Sequence, residues 1–99
     1  MDFHISEKIV KKLAGKEPPV DPRDVQEAFA NRTGKLLFDE RDKHKTNPRT
    51  LWFVALTNHR RLLKVCFIPK ADGPHIRTAY SANDDELRIY RKYGEPSDF

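Results

Sequence analysis

Three apolar runs dominate the hydropathy pattern of the chain: Leu51–Leu56, Leu62–Ile68 and His75–Tyr80. They are dense in Val, Ile, Phe and Trp, side chains that suit a pleated, half-buried surface. In the middle run Lys64 is the only charge, and near-continuous hydrophobicity over that length predicts a strand covered on both faces or central in its sheet. In the third run Ile76, Thr78 and Tyr80 alternate with Arg77 and Ala79, the pattern of a strand with one wetter face. Asn58-His59-Arg60 and Ala71-Asp72-Gly73-Pro74 separate the runs, and these turn residues span breaks short enough for hairpins. The pattern predicts an antiparallel meander that forms the core.

Helical spacing flanks it on both sides. Ser6 is placed to cap a helix through Leu13, with Ile9, Val10 and Leu13 on one face and Gly15 where a terminating glycine belongs. Glu17-Pro18-Pro19 forbids continuation. Asp21-Pro22 restarts the chain as cap and first helical residue, and Val25, Ala28 and Phe29 lay one stripe toward the sheet before an end near Asn31–Gly34. Lys35–Glu40 reads as a short first strand near an edge, and Arg41–Arg49 as a polar connection. Asn83 or Asp84 caps a last helix whose inner face holds Leu87, Tyr90 and Tyr93, and Glu95–Phe99 reads as a frayed tail. The expected fold is α+β: one domain with two N-terminal helices, a four-stranded antiparallel sheet and a C-terminal helix.

Composition narrows the class. At 99 residues, 37% hydrophobic and 34% charged, the core must be concentrated in few elements. No apolar stretch approaches the roughly 20 residues that span a bilayer, and Met1-Asp2-Phe3-His4 lacks the pattern of a secretory signal, so a cytoplasmic protein with no membrane partner is expected. A single cysteine, Cys66, excludes an internal disulfide and a Cys-rich zinc site; inside the most hydrophobic run it reads as a buried small hydrophobe. The net charge of +4 is unevenly spread: Arg41, Lys43, Lys45, Arg49, Arg60, Arg61 and Lys64 face one acid, Asp42, between positions 41 and 64. Clustered cations beside an apolar sheet point to a polyanion or acidic partner; the plainer reading is a solvated loop and hairpin tip.

Catalytic signatures of the common kinds are missing: no glycine-rich phosphate loop, no G-x-S-x-G, no H-E-x-x-H. His4, His44, His59 and His75 fall on separate connections, so no metal site and no cofactor are expected. The chemistry that the remaining residues permit is RNA cleavage without a metal. It needs a base for the 2′-hydroxyl, cations for the phosphorane and an acid for the leaving oxygen, roles that His, Lys, Arg and Tyr can share. His44, Arg77, Tyr80 and Tyr90 are the candidate catalytic residues. Arg41, Lys45, Arg49, Arg60 and Arg61 are the candidate phosphate-binding residues. With the last helix packed over the sheet, Arg41, His44, Lys45, Arg49, Arg77, Tyr80 and Tyr90 would border one groove. Against this, Tyr80 and Tyr90 also read as core rings with hydroxyls at the rim, and Arg77 as a surface residue.

The segments DPRDVQEAF (Asp21–Phe29), TLWFVAL, RRLLKVCFIPK and HIRTAYSANDDELRIY resemble the small toxins of the BrnT family, part of the RelE/ParE-like group of type II toxin–antitoxin systems. The resemblance covers roughly Val20 to Tyr93 and rests on the order and character of elements more than on identity. The stretch R-x-x-H-x-T-x-P-x-T-x-W-F, here Arg41, His44, Thr46, Pro48, Thr50, Trp52 and Phe53, also resembles a group of short bacterial proteins that carry the name ADP-ribosyl-dinitrogen reductase hydrolase. That hydrolase is far larger and holds metals with several acidic clusters, which this chain lacks. The BrnT resemblance implies a compact sheet with packed helices, ribonuclease activity that restrains translation, and a cognate antitoxin as partner. Toxins of that type carry an arginine after Ser-Ala at the end of the last strand; here the sequence is Thr78-Ala79-Tyr80, with Tyr80 in that place, while Glu86 and Tyr90 are kept. The expectation is a metal-independent endoribonuclease toxin, and the alternative is a non-catalytic RNA- or protein-binding module on the same fold.

Overall fold

A computed structural model describes residues 2–41 and 47–99. The elements run α1 (Glu7–Ala14), α2 (Pro22–Asn31), β1 (Leu37–Phe38), β2 (Leu51–Leu56), β3 (Leu62–Lys70), β4 (Gly73–Ser81) and α3 (Asp84–Tyr93). The four strands form one antiparallel sheet in sequence order, so β1 and β4 are its edges. This is the expected α+β architecture.

Each helix begins where a side chain satisfies an orphan amide. The Ser6 hydroxyl accepts the Ile9 N–H at 3.2 Å. Asp21 with Asp24, and Asn83 with Glu86, form reciprocal capping boxes. Pro22 opens α2 at a position that has no need of a donor.

Register assigns the two sheet faces, because cross-strand partners point the same way. Phe53, Val65 and Ala79 are aligned across β2, β3 and β4, and α2 covers them. The Phe29 ring lies 4.9 Å from Phe53 and 5.4 Å from Phe67, with Phe3 stacked on Phe29 at 5.8 Å. The opposite face carries Trp52 and Cys66 and, one pair along, Val54, Lys64 and Tyr80. α3 lies on that face, with the Tyr90 ring 5.6 Å from Trp52. β3 is therefore central and covered on both sides, as its sequence predicts, and Cys66 is buried there.

Four expectations change. β1 is only two residues long; Leu36 and Phe38 face outward, with no layer over them to reward a longer strand. The alternation in β4 breaks at Arg77. Cys66 pairs with Thr78 but Phe67 with Ile76, so Arg77 is an extra, exposed residue at a bulge, and Ile76 and Ala79 are both buried. Tyr93 is not on the inner face of α3 but exposed. The segment after α3 is docked rather than frayed. The Ser97 N–H donates to Thr33 Oγ1 at 3.1 Å, that hydroxyl donates to Asp98 at 2.7 Å, and the Phe99 ring stacks on Tyr90 at 6.2 Å. No helix among the described residues is long and apolar enough to cross a membrane.

Candidate functional site

A cleft of about 750 Å³ opens between β1 and α3. Leu36, Phe38 and Arg41 line one side, Ile89 and Tyr93 the other, and Trp52, Lys64 and Glu86 the floor. Its floor is polar because β3 carries one lysine in an otherwise apolar run. Lys64 Nζ lies 2.8 Å from Glu86 Oε2 and 4.5 Å from the Trp52 ring centre. The Tyr80 hydroxyl donates to the same Oε2 at 2.6 Å, and Glu86 Oε1 accepts the Asn83 N–H at 3.0 Å. The Tyr80 ring also meets two ammonium groups, Lys16 at 5.5 Å and Lys64 at 5.7 Å.

These contacts set the protonation of the cluster. Burial alone would lower Lys64, but its hydrogen bond to Glu86 and its charge interactions with Cys66, Tyr80 and Glu86 together outweigh that and hold the ammonium above the ordinary lysine value. Burial would raise Glu86, yet the Asn83 amide, Lys64 and Tyr80 together hold its carboxyl below the usual range. Burial, followed by the bond to Glu86, pushes the Tyr80 phenol up. All three groups keep their neutral-pH charge states firmly. Such a cluster stabilises charge; it does not shuttle protons near neutrality.

Of the expected phosphate-binding residues, Arg41 lines the cleft and Arg49 lies beside it over Phe38, each already paired. Arg41 donates Nε to Asp39 Oδ1 at 3.1 Å and Nη2 to Oδ2 at 2.8 Å, a two-pronged bond to a buried carboxylate that raises its pKa further. Arg49 lies 3.6 Å from Glu40, donates to the Asp39 carbonyl at 3.3 Å and covers the Phe38 ring at 4.9 Å.

Among the described residues, the candidates expected to border one groove lie in different places. Tyr80 belongs to the Lys64–Glu86 cluster. Tyr90 is fully buried under Trp52, its hydroxyl donating to the Lys35 carbonyl at 2.7 Å, and burial pushes its pKa to about 12; it is a core ring. The bulge places Arg77 at the other sheet edge, beside a hollow that His4 and His75 also line. Arg60 is exposed at the β2–β3 turn with φ 64°. Arg61 braces the fold: Nε donates to Ser81 Oγ at 2.7 Å, and the two Nη groups donate to the Pro19 and Pro18 carbonyls at 2.7 and 2.8 Å. His44 and Lys45 lie outside the described residues.

Sequence reasoning missed Trp52, Lys64, Phe38 and Tyr93 as site residues. Lys64 carried a usable signal, a lone cation in a strand that must be buried. It also missed the meeting of His4 and His75, whose rings stack 4.5 Å apart. His4 and His75, expected on separate connections, therefore meet in space. No family model matches the chain, and no curated protein and no solved structure resembles it significantly.

Proposed function

We propose that this protein binds RNA, taking a single-stranded segment into the cleft between β1 and α3. The observation that carries this reading is the placement of two exposed aromatic side chains, Phe38 and Tyr93, on a cleft that Arg41 also lines, with the Arg49 guanidinium over one face of Phe38 and the Lys92 ammonium over one face of Tyr93. Single strands are held by stacking on such rings, worth about 1–3 kcal/mol per base, together with cations along the backbone. The basic excess between Arg41 and Lys64 supplies the long-range attraction.

Cleavage, the activity expected of a BrnT-like toxin, is the fuller form of the same reading. In it Lys64 stabilises the phosphorane and His44 supplies the proton transfer that the firmly held Glu86 and Tyr80 do not. Fluorescence anisotropy with a labelled single-stranded RNA tests the binding. Affinity is expected to fall steeply with salt, and Phe38→Ala, Tyr93→Ala and Arg49→Ala each to weaken it. Salt-independent affinity, or none for any RNA, overturns the proposal. Single-turnover assays of wild-type and His44→Ala protein then separate an enzyme from a binding module.

A second reading rests on a different observation. All four exposed large hydrophobic residues among those described, Leu36, Phe38, Ile89 and Tyr93, line this one cleft, beside the outer edge of β1. An apolar strip along a strand edge suits a protein partner, and for a toxin that partner is the antitoxin. Induced expression that arrests growth, relieved by a neighbouring gene, supports it. Unaffected growth in both cases removes the toxin role.

A further inference from the structure

The main chain brings His4 and His75 together. The His4 N–H donates to the Pro74 carbonyl at 2.8 Å, and the Ile76 N–H donates to the His4 carbonyl at 2.9 Å. This parallel bridge places the two imidazoles side by side with 20° between their planes. Both turn Nε2 toward Asp72 in the β3–β4 turn. His75 Nε2 is 2.8 Å from Asp72 Oδ1; His4 Nε2 is 2.8 Å from the Asp72 carbonyl oxygen and 3.4 Å from Oδ2. One ligand atom from each of the three side chains lies within 4.8 Å of the others.

We propose that His4, His75 and Asp72 form a binding site for a divalent transition-metal ion of the zinc class, held by two imidazole nitrogens and a carboxylate oxygen, with water in the fourth position. Zinc binds nitrogen and oxygen at about 2.0–2.2 Å, so tetrahedral ligand atoms stand roughly 3.4 Å apart. The two imidazole nitrogens stand 2.8 and 3.4 Å from the Asp72 carboxylate oxygens, near that spacing, and backbone hydrogen bonds hold the main chain of the N-terminal segment against β4 before any ion arrives. Two imidazoles with one carboxylate suit zinc, nickel or copper; magnesium and calcium demand oxygen-rich shells. A carboxylate such as Asp72 is an anionic ligand at neutral pH, and on binding each Nε2 exchanges its bond to Asp72 for the ion. Lys70 and Arg77 line the adjoining hollow of about 640 Å³ and oppose a dication, which makes the Asp72 charge indispensable. The hollow also gives a fourth ligand room. An ion there clasps the N-terminal segment to the turn between β3 and β4. The site is independent of the RNA reading, because it lies at the β4 edge and the cleft at the β1 edge.

The test uses untagged full-length protein, stripped with a chelator and titrated with zinc chloride against a chromophoric competitor. One equivalent is expected to bind and the melting temperature to rise by several degrees, with no effect from the same concentration of magnesium. His4→Gln, His75→Ala and the near-isosteric Asp72→Asn are each expected to weaken zinc at least about tenfold, while His59→Ala leaves it unchanged. Proton NMR of the wild type needs no variant: substoichiometric cobalt(II) should broaden the ring signals of His4 and His75 before that of His59. No bound equivalent, affinity unchanged by His4→Gln and His75→Ala, or equal broadening of all histidines overturns the proposal.

Discussion

Lys64 and Glu86 hold each other across the seam between β3 and α3, Nζ to Oε2 at 2.8 Å, with side chains only 10% and 15% exposed. The pair joins the central strand to the last helix and forms the floor of the cleft. Removing one member leaves a charge in a poorly hydrated place. Glu86→Gln is therefore expected to cost about 3 kcal/mol, and Lys64→Met a similar amount, while the double variant loses less than the sum. Urea titration of the four proteins measures the coupling. Strict additivity would show that water, not the partner, satisfies each charge.

The same pair makes stability depend on pH in two directions. The folded state holds Glu86 below its ordinary value of 4.5, so its contribution is complete above that value and lost as pH falls through the lowered one. Lys64 is held above its ordinary 10.5, so its contribution is complete below that value and lost as pH rises through the raised one. Tyr90, pushed up to about 12, adds to the alkaline loss. Denaturation midpoints measured across pH should show a plateau between the two limbs, and Glu86→Gln should shallow the acid one. An unchanged acid limb in that variant would assign acid unfolding to other carboxylates.

Tyr90 is packed in the core. Its hydroxyl bonds the Lys35 carbonyl and its ring contacts Trp52 and Phe99. Tyr90→Phe is expected to cost about 1 kcal/mol, the usual value of one hydrogen bond, and to leave RNA affinity unchanged. A variant of normal stability that lost RNA affinity would return Tyr90 to the site.

Arg61 separates brace from clamp among the cationic residues. With its guanidinium committed to Ser81, Pro18 and Pro19, Arg61→Ala should lower stability by about 1–3 kcal/mol. It should not alter the salt slope of RNA binding, whereas Arg49→Ala should flatten it. A flatter slope from Arg61→Ala would mean that the brace opens to meet phosphate.

Phe99 anchors the chain end. Phe99→Ala removes the ring stacked on Tyr90 and should cost at least about 1 kcal/mol. A thermal melt identical to that of the wild type would restore the frayed tail.

Local signals carry the caps and the meander. Ser6, Asp21 and Asn83 sit next to the amides they satisfy, and the strand runs are bounded by their own turn residues, so neighbouring positions suffice to read them. Contacts between distant segments have no such period. Phe99 reaching Tyr90, Arg61 reaching Pro18, and His4 reaching His75 each depend on where the chain returns in space. The Arg77 bulge is invisible for a related reason, since one inserted residue shifts the faces of β4 without changing its composition. Counting basic residues likewise cannot tell Arg60, which faces solvent, from Arg61, which does not. Lys64 is the instructive case: its isolation in an apolar run was legible, but Glu86, the partner that makes it tolerable, belongs to another element.

The parallel bridge between His4 and His75 has a kinetic meaning. β2, β3 and β4 are joined by short turns and close quickly, since each strand meets its neighbour in the chain. The N-terminal segment pairs only with a strand made near the other end, so its closure entropy must be met after that strand is in place. Assembly then runs from the meander outward, and unfolding begins where assembly ended. The Ile76 amide, whose acceptor is His4, reports that step: in pulsed hydrogen exchange it should gain protection later than the amide of Val65 in the central strand. Simultaneous protection would mean that the N-terminal segment folds with the sheet as one unit.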